Sequence, residues 1–300
     1  MTKASSASMT AEQLQQLLTE QRAKLHRYCA RMVGSAIDGE DVLQDAMLKA
    51  VDAFESAGAI DNPQGWLFRI AYNTALDFLR RRTRRDGLHA SEEIDMIADP
   101  VDEVDNREIA AASLGMFMRL PVAQRASVIL MDVLGCSLQE ICDVMNVSLP
   151  AAKATLHRGR ARLRELANEP DDAPQPVMAV SDRARLASYV ERFNAREFDA
   201  IRAMLADDVR LELVNRAKWQ GKAEVSRYFG NYAKVGDWQL VPGLVERRPA
   251  VLVFDPRDRS GTPVYFMLLG WTGDQVMTIR DFRYAAYAME CAEWVALPQR

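Results

Sequence analysis

Lys153, Ala154, His157 and Arg158 recur along one stripe of a helix, while Ala152, Leu156, Gly159, Leu163 and Leu166 fall on an adjacent one. A cationic stripe of modest bulk can enter a DNA major groove while its apolar neighbour packs inward. Just upstream, Leu138, Ile141, Cys142 and Met145 repeat at the helical period, and Asn146-Val147 breaks it. Ser148 then offers an N-cap, and Pro150 sits in a first turn, where its missing N–H costs nothing. Ser137 to Leu166 therefore reads as a DNA-reading helix-turn-helix. Arg158, Arg160, Arg162 and Arg164 alone would equally suit a plain helix end that complements the dipole. The preceding helix and turn favour DNA.

A second constellation lies on one continuous helical pattern from Trp66 to Arg85. Trp66, Phe68 and Tyr72 precede Arg80, Arg81, Arg82, Arg84 and Arg85. Rings offer stacking platforms for unpaired bases and guanidinium groups hold a backbone. Phe78 is expected in the core, whereas Trp66, Tyr72 and Asn73 are expected to act on a ligand. Glu40, Asp41 and Asp45 cluster near the start of an earlier helix, whose apolar positions are expected in the core. On residue type alone they serve as dipole-complementing groups.

The last third is poorer in chemistry. All three histidines, His26, His89 and His157, precede residue 158. Asp207 and Asp208 stand where a turn favours aspartate, and Asp281 follows a strand. No neutral-pH general base is evident, so structural roles are expected for these three and no catalytic residue is assigned. Cys29, Cys136, Cys142 and Cys291 lack paired spacing and read as buried free thiols. Neither a metal site nor a cofactor is expected, and the chain is not read as an enzyme.

The elements that must position these groups exceed one ordinary core, since 300 residues favour two or three domains. A hydrophobic fraction of 49% with 27% charged residues describes a folded chain. The net charge of -4 is unusual for a DNA binder, so a larger partner is expected to supply most phosphate contacts. No N-terminal apolar stretch resembles a signal peptide and no run approaches a membrane span, so a cytoplasmic location is expected.

In chain order, helices are expected over Ala11 to Val33, over the segment containing Val42 to Phe54, and over Trp66 to Arg85. Residues 86–108 are acidic and weakly apolar, the composition of a flexible linker. Ile109 to Arg119 and the apolar segment ending at Gly135 form helices beneath the helix-turn-helix, closing a second all-α domain over 109–167. Residues 168–180 carry prolines and acids and form a second linker. From 181 to 300 come an amphipathic helix pair, short strands, and a helix around Lys222 to Tyr232. That order suggests antiparallel strands curled over helices, an α+β domain.

The segments DGEDVLQDAMLKA, NPQGWLFRIAYNTALDFLRRRTRR and LPVAQRASVILMDVLGCSLQEICDVMNVSLPAAKATLHRGRARL, in this order, resemble the extracytoplasmic-function group of sigma-70 family RNA polymerase sigma factors. The resemblance implies a chain that directs promoter-specific initiation, with region 2 over 11–85 and region 4 over 109–167. It implies that Glu40, Asp41, Gln44 and Asp45 dock on the clamp helices of the polymerase largest subunit. Trp66, Tyr72, Asn73, Arg80 and Arg81 would open and hold the −10 element, and Lys153, Ala154, His157 and Arg158 would face the −35 element. Thr155 and Gly159 depart from the Arg and Ala that the family often places there. Thr155 would remove a phosphate contact and Gly159 would cost helix stability.

The pattern ERFNAREFDAIRAMLADDVRLEL followed by W-x-G-K-A-E-V is similar to SnoaL-like domains of the nuclear-transport-factor-2-like superfamily. This implies a cone-shaped α+β domain with room for a small-molecule ligand, controlling the sigma domains in cis by intramolecular contact. The alternative is a SnoaL-like enzyme or sensor fused to a DNA-binding module.

Overall fold

The structure, a computed structural model, describes residues 9–86, 112–169, 178–234, 236 and 238–297. The chain divides into two compact units, Met1–Asp171 and Asp172–Arg300. The acidic linker beyond residue 86, the start of the helix expected from Ile109, and most of the 168–180 linker lie outside the described residues.

The first unit is all helical. Helix α1 (Ala11–Val33) begins at a Thr10–Gln13 capping box and ends on Gly34, whose φ of 78° is the left-handed geometry that glycine adopts without strain. The Ser35 side chain caps α2 (Ala36–Phe54). Asn62 caps α3 (Pro63–Arg85), with Pro63 in its first turn. Then follow α4 (Leu114–Met118), α5 (Val122–Val128) running into a π-helical turn (Ile129–Val133), α6 (Leu138–Met145) and α7 (Leu149–Ala167).

Two all-α domains were expected, yet one apolar cluster runs through both halves. It joins Tyr28, Met32, Leu43 and Phe68 to Phe117, Ile129, Ile141 and Leu163. The Tyr28 and Phe68 rings meet edge to face at 5.7 Å. Each fully buried large side chain contributes about 1.5 to 3 kcal/mol.

The second unit opens with α8 (Val180–Asn194) and α9 (Phe198–Met204), then β1 (Leu205–Leu213), β2 (Ala217–Gln220) and α10 (Lys222–Tyr232). Strands β3 (Gln239–Val245), β4 (Arg248–Phe254), β5 (Tyr265–Thr272), β6 (Gln275–Asp281) and β7 (Trp294–Ala296) complete one sheet in the order β2-β1-β6-β5-β4-β3-β7. Tyr189 and Phe193 of α8 and Phe229 of α10 pack with Leu211, Val251, Met267 and Ile279 of the sheet. Register shifts interrupt β1 between Leu205 and Arg210, and the β5–β6 pair at Gly270/Trp271; such irregularities bend a strand and increase its local twist.

The architecture is the expected α+β layer, with three corrections. The sheet is mixed rather than purely antiparallel, because β1 pairs parallel to β6. Strand β3 escaped the sequence pattern because Pro242 and Gly243 punctuate it. Asp207 and Asp208 are exposed positions within β1 at its register shift, not turn residues. Cys29, Cys136 and Cys142 are buried free thiols, and Cys291 is a partly buried one. Among the described residues no helix is long and apolar enough to cross a membrane.

Candidate nucleic-acid interface

Helix α6 starts at a capping box in which Ser137 and Glu140 bond each other's backbone N–H, and donation from the Ser137 N–H and hydroxyl holds the Glu140 carboxyl below its usual range. It stops at Asn146, whose φ of 55° is left-handed, a conformation that asparagine tolerates. The Ser148 side chain accepts from the Ala151 N–H to start α7, with Pro150 in the first turn. These caps set the turn, and burial of Ala152, Leu156, Gly159, Leu163 and Leu166 sets the rotation of α7. Lys153 is thereby exposed, and Ala154, His157 and Arg158 are half-buried.

The basic run divides in space. Arg160 forms a two-pronged pair with Asp132 of the π-helical turn, its Nε 2.9 Å from Oδ2. Arg162 meets Glu165 at 2.7 Å. Both guanidinium groups are thus engaged inside the unit. Thr155, where the family often has Arg, donates its hydroxyl to the carbonyls of Ala151 and Ala152. Gly159 is explained by packing: a β-carbon there would stand 2.6 Å from Val128 Cγ2.

On α3, Trp66, Asn73 and Arg80 are spaced by seven residues and share one face, with Arg69 beside it. Trp66 and Tyr72 are half-buried, whereas Asn73, Arg80 and Arg81 are exposed. Phe78 packs partly buried against the core, as expected of it. Trp66 and Arg69 line a cleft of about 410 Å³ together with Asn62, Ala57 and Asp143 of α6. Arg82 leaves the row of exposed arginines; its Nη1 donates to the Val33 carbonyl at 2.9 Å.

On α2, Asp41 and Asp45 are exposed and Gln44 is half-buried. Glu40 departs from the expectation of a docking contact. It is 1% exposed and pairs with Arg22 at 2.8 Å, because its helical position faces α1. Leu48 at 60% and Val51 at 51% exposure lie among the acids, although apolar positions of this helix were expected in the core. Their spacing from Gln44 and Asp45 opposes the Leu43–Ala46–Ala50 stripe, a signal the sequence carried.

In the second unit Asp281 is fully buried at the end of β6. Its carboxylate accepts from Tyr228 Oη at 2.6 Å, Tyr232 Oη at 3.0 Å and the Arg283 N–H at 2.8 Å. The Tyr265 hydroxyl lies 3.0 Å from that of Tyr232, and Arg283 Nη1 donates to Tyr265 at 3.3 Å. Burial raises the Asp281 carboxyl above its usual range against the pull of these bonds, and pushes Tyr265 up to about 12. Among the described residues no three His, Cys, Asp or Glu side chains converge as metal ligands.

Residues 17–85 match the model of sigma-70 region 2, and residues 114–163 that of sigma-70 region 4. The chain is 27% identical to the ECF RNA polymerase sigma factor SigG of Mycobacterium tuberculosis over 290 residues, covering 87% of this chain and 78% of that protein. It is 33% identical over 154 residues to the ECF sigma factor SigM of the same organism, covering 50% of this chain and 75% of that protein. Among solved structures, the extracytoplasmic function sigma factor SigJ of Mycobacterium tuberculosis is 18% identical, covering 89% of this chain and 95% of that one with a TM-score of 0.33. The chain belongs to the extracytoplasmic-function RNA polymerase sigma factors, which join core RNA polymerase and direct it to promoter DNA.

Proposed function

We propose a division of labour within this sigma factor. Trp66, Tyr72, Asn73, Arg80 and Arg81, in the segment 11–85, open and hold the −10 element. Lys153, Ala154, His157 and Arg158, in the segment 109–167, read the −35 element. Asp41, Gln44 and Asp45, joined by Leu48 and Val51, meet the clamp helices of the polymerase largest subunit. The observation that carries this reading is that the reader residues lie on capped helices whose opposite stripes are buried, so each helix has one rotation and one outward face. An extruded base must regain stacking and hydrogen bonds, which the neighbouring Trp66 ring and Asn73 amide would supply.

The segment 181–300 controls initiation in cis in this reading. Its tether to the −35 reader spans residues 168–180, and a small-molecule ligand of this domain would be the signal it answers to.

Reconstituted transcription with core polymerase tests both parts. The full chain is expected to initiate at a cognate promoter. Asn73→Ala should lose strand opening while upstream contacts persist, and Lys153→Ala should weaken upstream contacts by about 1 to 3 kcal/mol. Initiation at no candidate promoter, with or without residues 168–300, rejects the division of labour. Equal initiation by the full and truncated chains rejects control in cis.

A further inference from the structure

The rotation of α7 decides which of its side chains can reach base edges. Ala152, Leu156, Gly159 and Leu163 are buried. Two positions along an α-helix turn it by about 200°, so Pro150, Ala154, His157 and Ala161 form the stripe opposite. Pro150 is exposed, and Ala154, His157 and Ala161 are half-buried. On this stripe the His157 imidazole is the one side chain that can donate or accept a hydrogen bond.

The polar groups around the stripe are largely committed within the unit. The Ser148 hydroxyl accepts from the Ala151 N–H, and Pro150 has no N–H, so the leading turn of α7 offers few donors of its own. The Thr155 hydroxyl donates to the Ala151 and Ala152 carbonyls at 3.0 Å each. Arg160 is paired with Asp132, and Arg162 with Glu165. Lys153 and Arg158 flank the stripe on opposite sides. Long cationic side chains at the margins of a groove-bound helix are placed for phosphates, which leaves the imidazole facing the bases.

A reading helix lies in the major groove, where each base pair shows its own set of donors and acceptors. Guanine presents two acceptors there, N7 and O6, whereas adenine sets an N6 donor beside its N7 acceptor. An imidazole N–H between the positive charges of Lys153 and Arg158 favours the edge with two acceptors. The Pro150 ring and the Ala154 and Ala161 methyls can satisfy no polar base group, so their part is limited to shape and to thymine methyl contacts.

We propose that His157 is the specificity-determining residue of the −35 reader and donates a hydrogen bond to N7 of one guanine. The inference rests on the division of labour above and adds the base and the atom that it leaves open.

The test uses the full chain with core polymerase on a promoter selected for initiation from a library randomised over the upstream element. Each guanine of that element is replaced in turn by 7-deazaguanine, in which N7 becomes C–H, or by hypoxanthine, which keeps N7 and O6. At one position 7-deazaguanine should lower promoter affinity about three- to tenfold, the scale of one hydrogen bond, and hypoxanthine should not. In His157→Ala the same 7-deazaguanine should cause no further loss. Alanine is the better helix former, so this variant should fold. His157→Gln, whose amide suits the adenine edge, should move the preference at that position from guanine to adenine. The absence of any guanine whose N7 matters overturns the proposal. So does an equal loss in the parent and in His157→Ala, or an unmoved preference in His157→Gln. Initiation indifferent to the whole upstream element counts against the division of labour instead.

Discussion

Gly159 of α7 lies against α5 so closely that a β-carbon on it would stand 2.6 Å from Val128 Cγ2 and 3.0 Å from the Gln124 carbonyl oxygen. Helix propensity alone favours Gly159→Ala by about 1 kcal/mol. Forcing a methyl into this contact costs about 1 to 3 kcal/mol, and the carbonyl cannot yield without bending α5. The variant should be destabilised by about 1 kcal/mol, measured as a lower denaturation midpoint at unchanged m-value. A rise in the midpoint would show that the helices separate without cost.

Asp132 is buried at its side chain, and Arg160 retains 17% exposure. Removing one partner of a fully buried pair costs about 3 to 5 kcal/mol, so about 2 to 3 kcal/mol is expected for Asp132→Ala because Arg160 keeps a watery edge. The loss should raise hydrogen exchange across Ile129–Val133 and α7 first. Exchange unchanged there, with the unit as stable as before, would dismiss the pair as a structural tie.

Leu48 and Val51 are exposed, so their truncation should leave the fold intact within about 0.5 kcal/mol. If they meet core polymerase, Leu48→Ala should weaken its binding about tenfold, the scale of a substantial interface contact of about 1.4 kcal/mol. A competition assay against a labelled sigma factor reads this directly. Unchanged competition would restrict docking to Asp41, Gln44 and Asp45.

Asp281 predicts a pH dependence of known sign. Its folded pKa is raised above the unfolded value of 3.8, with burial the leading cause and the Tyr228 and Tyr232 bonds opposing it. Its contribution to stability is therefore fully present below 3.8 and is lost as pH rises through the folded pKa. Asp281→Asn cannot ionise. The melting temperature of the variant minus that of the parent should be flat at low pH and increase as pH rises above the unfolded value. A difference that falls over that range would show that the tyrosine donors and Arg283 stabilise the ionised carboxylate more than burial penalises it.

Within this chain, local grammar was readable from residue order. The Asn146 stop, the Ser148 cap and the α7 stripes involve partners within a few positions, so spacing alone specifies them. The same holds for the long period of α3. What tertiary structure decided are contacts between distant positions. Glu40 is turned inward to Arg22, 18 residues away. Arg125 reaches Met32 across 93 residues, and Tyr228 reaches Asp281 across 53. Strand β3 forms despite Pro242 because β4 pairs with it along its length. Periodicity records which face of an element is apolar, but it does not record which other element arrives there. Whether a charged residue docks a partner, caps a neighbouring helix or is buried depends on that arrival, and only the assembled fold supplies it.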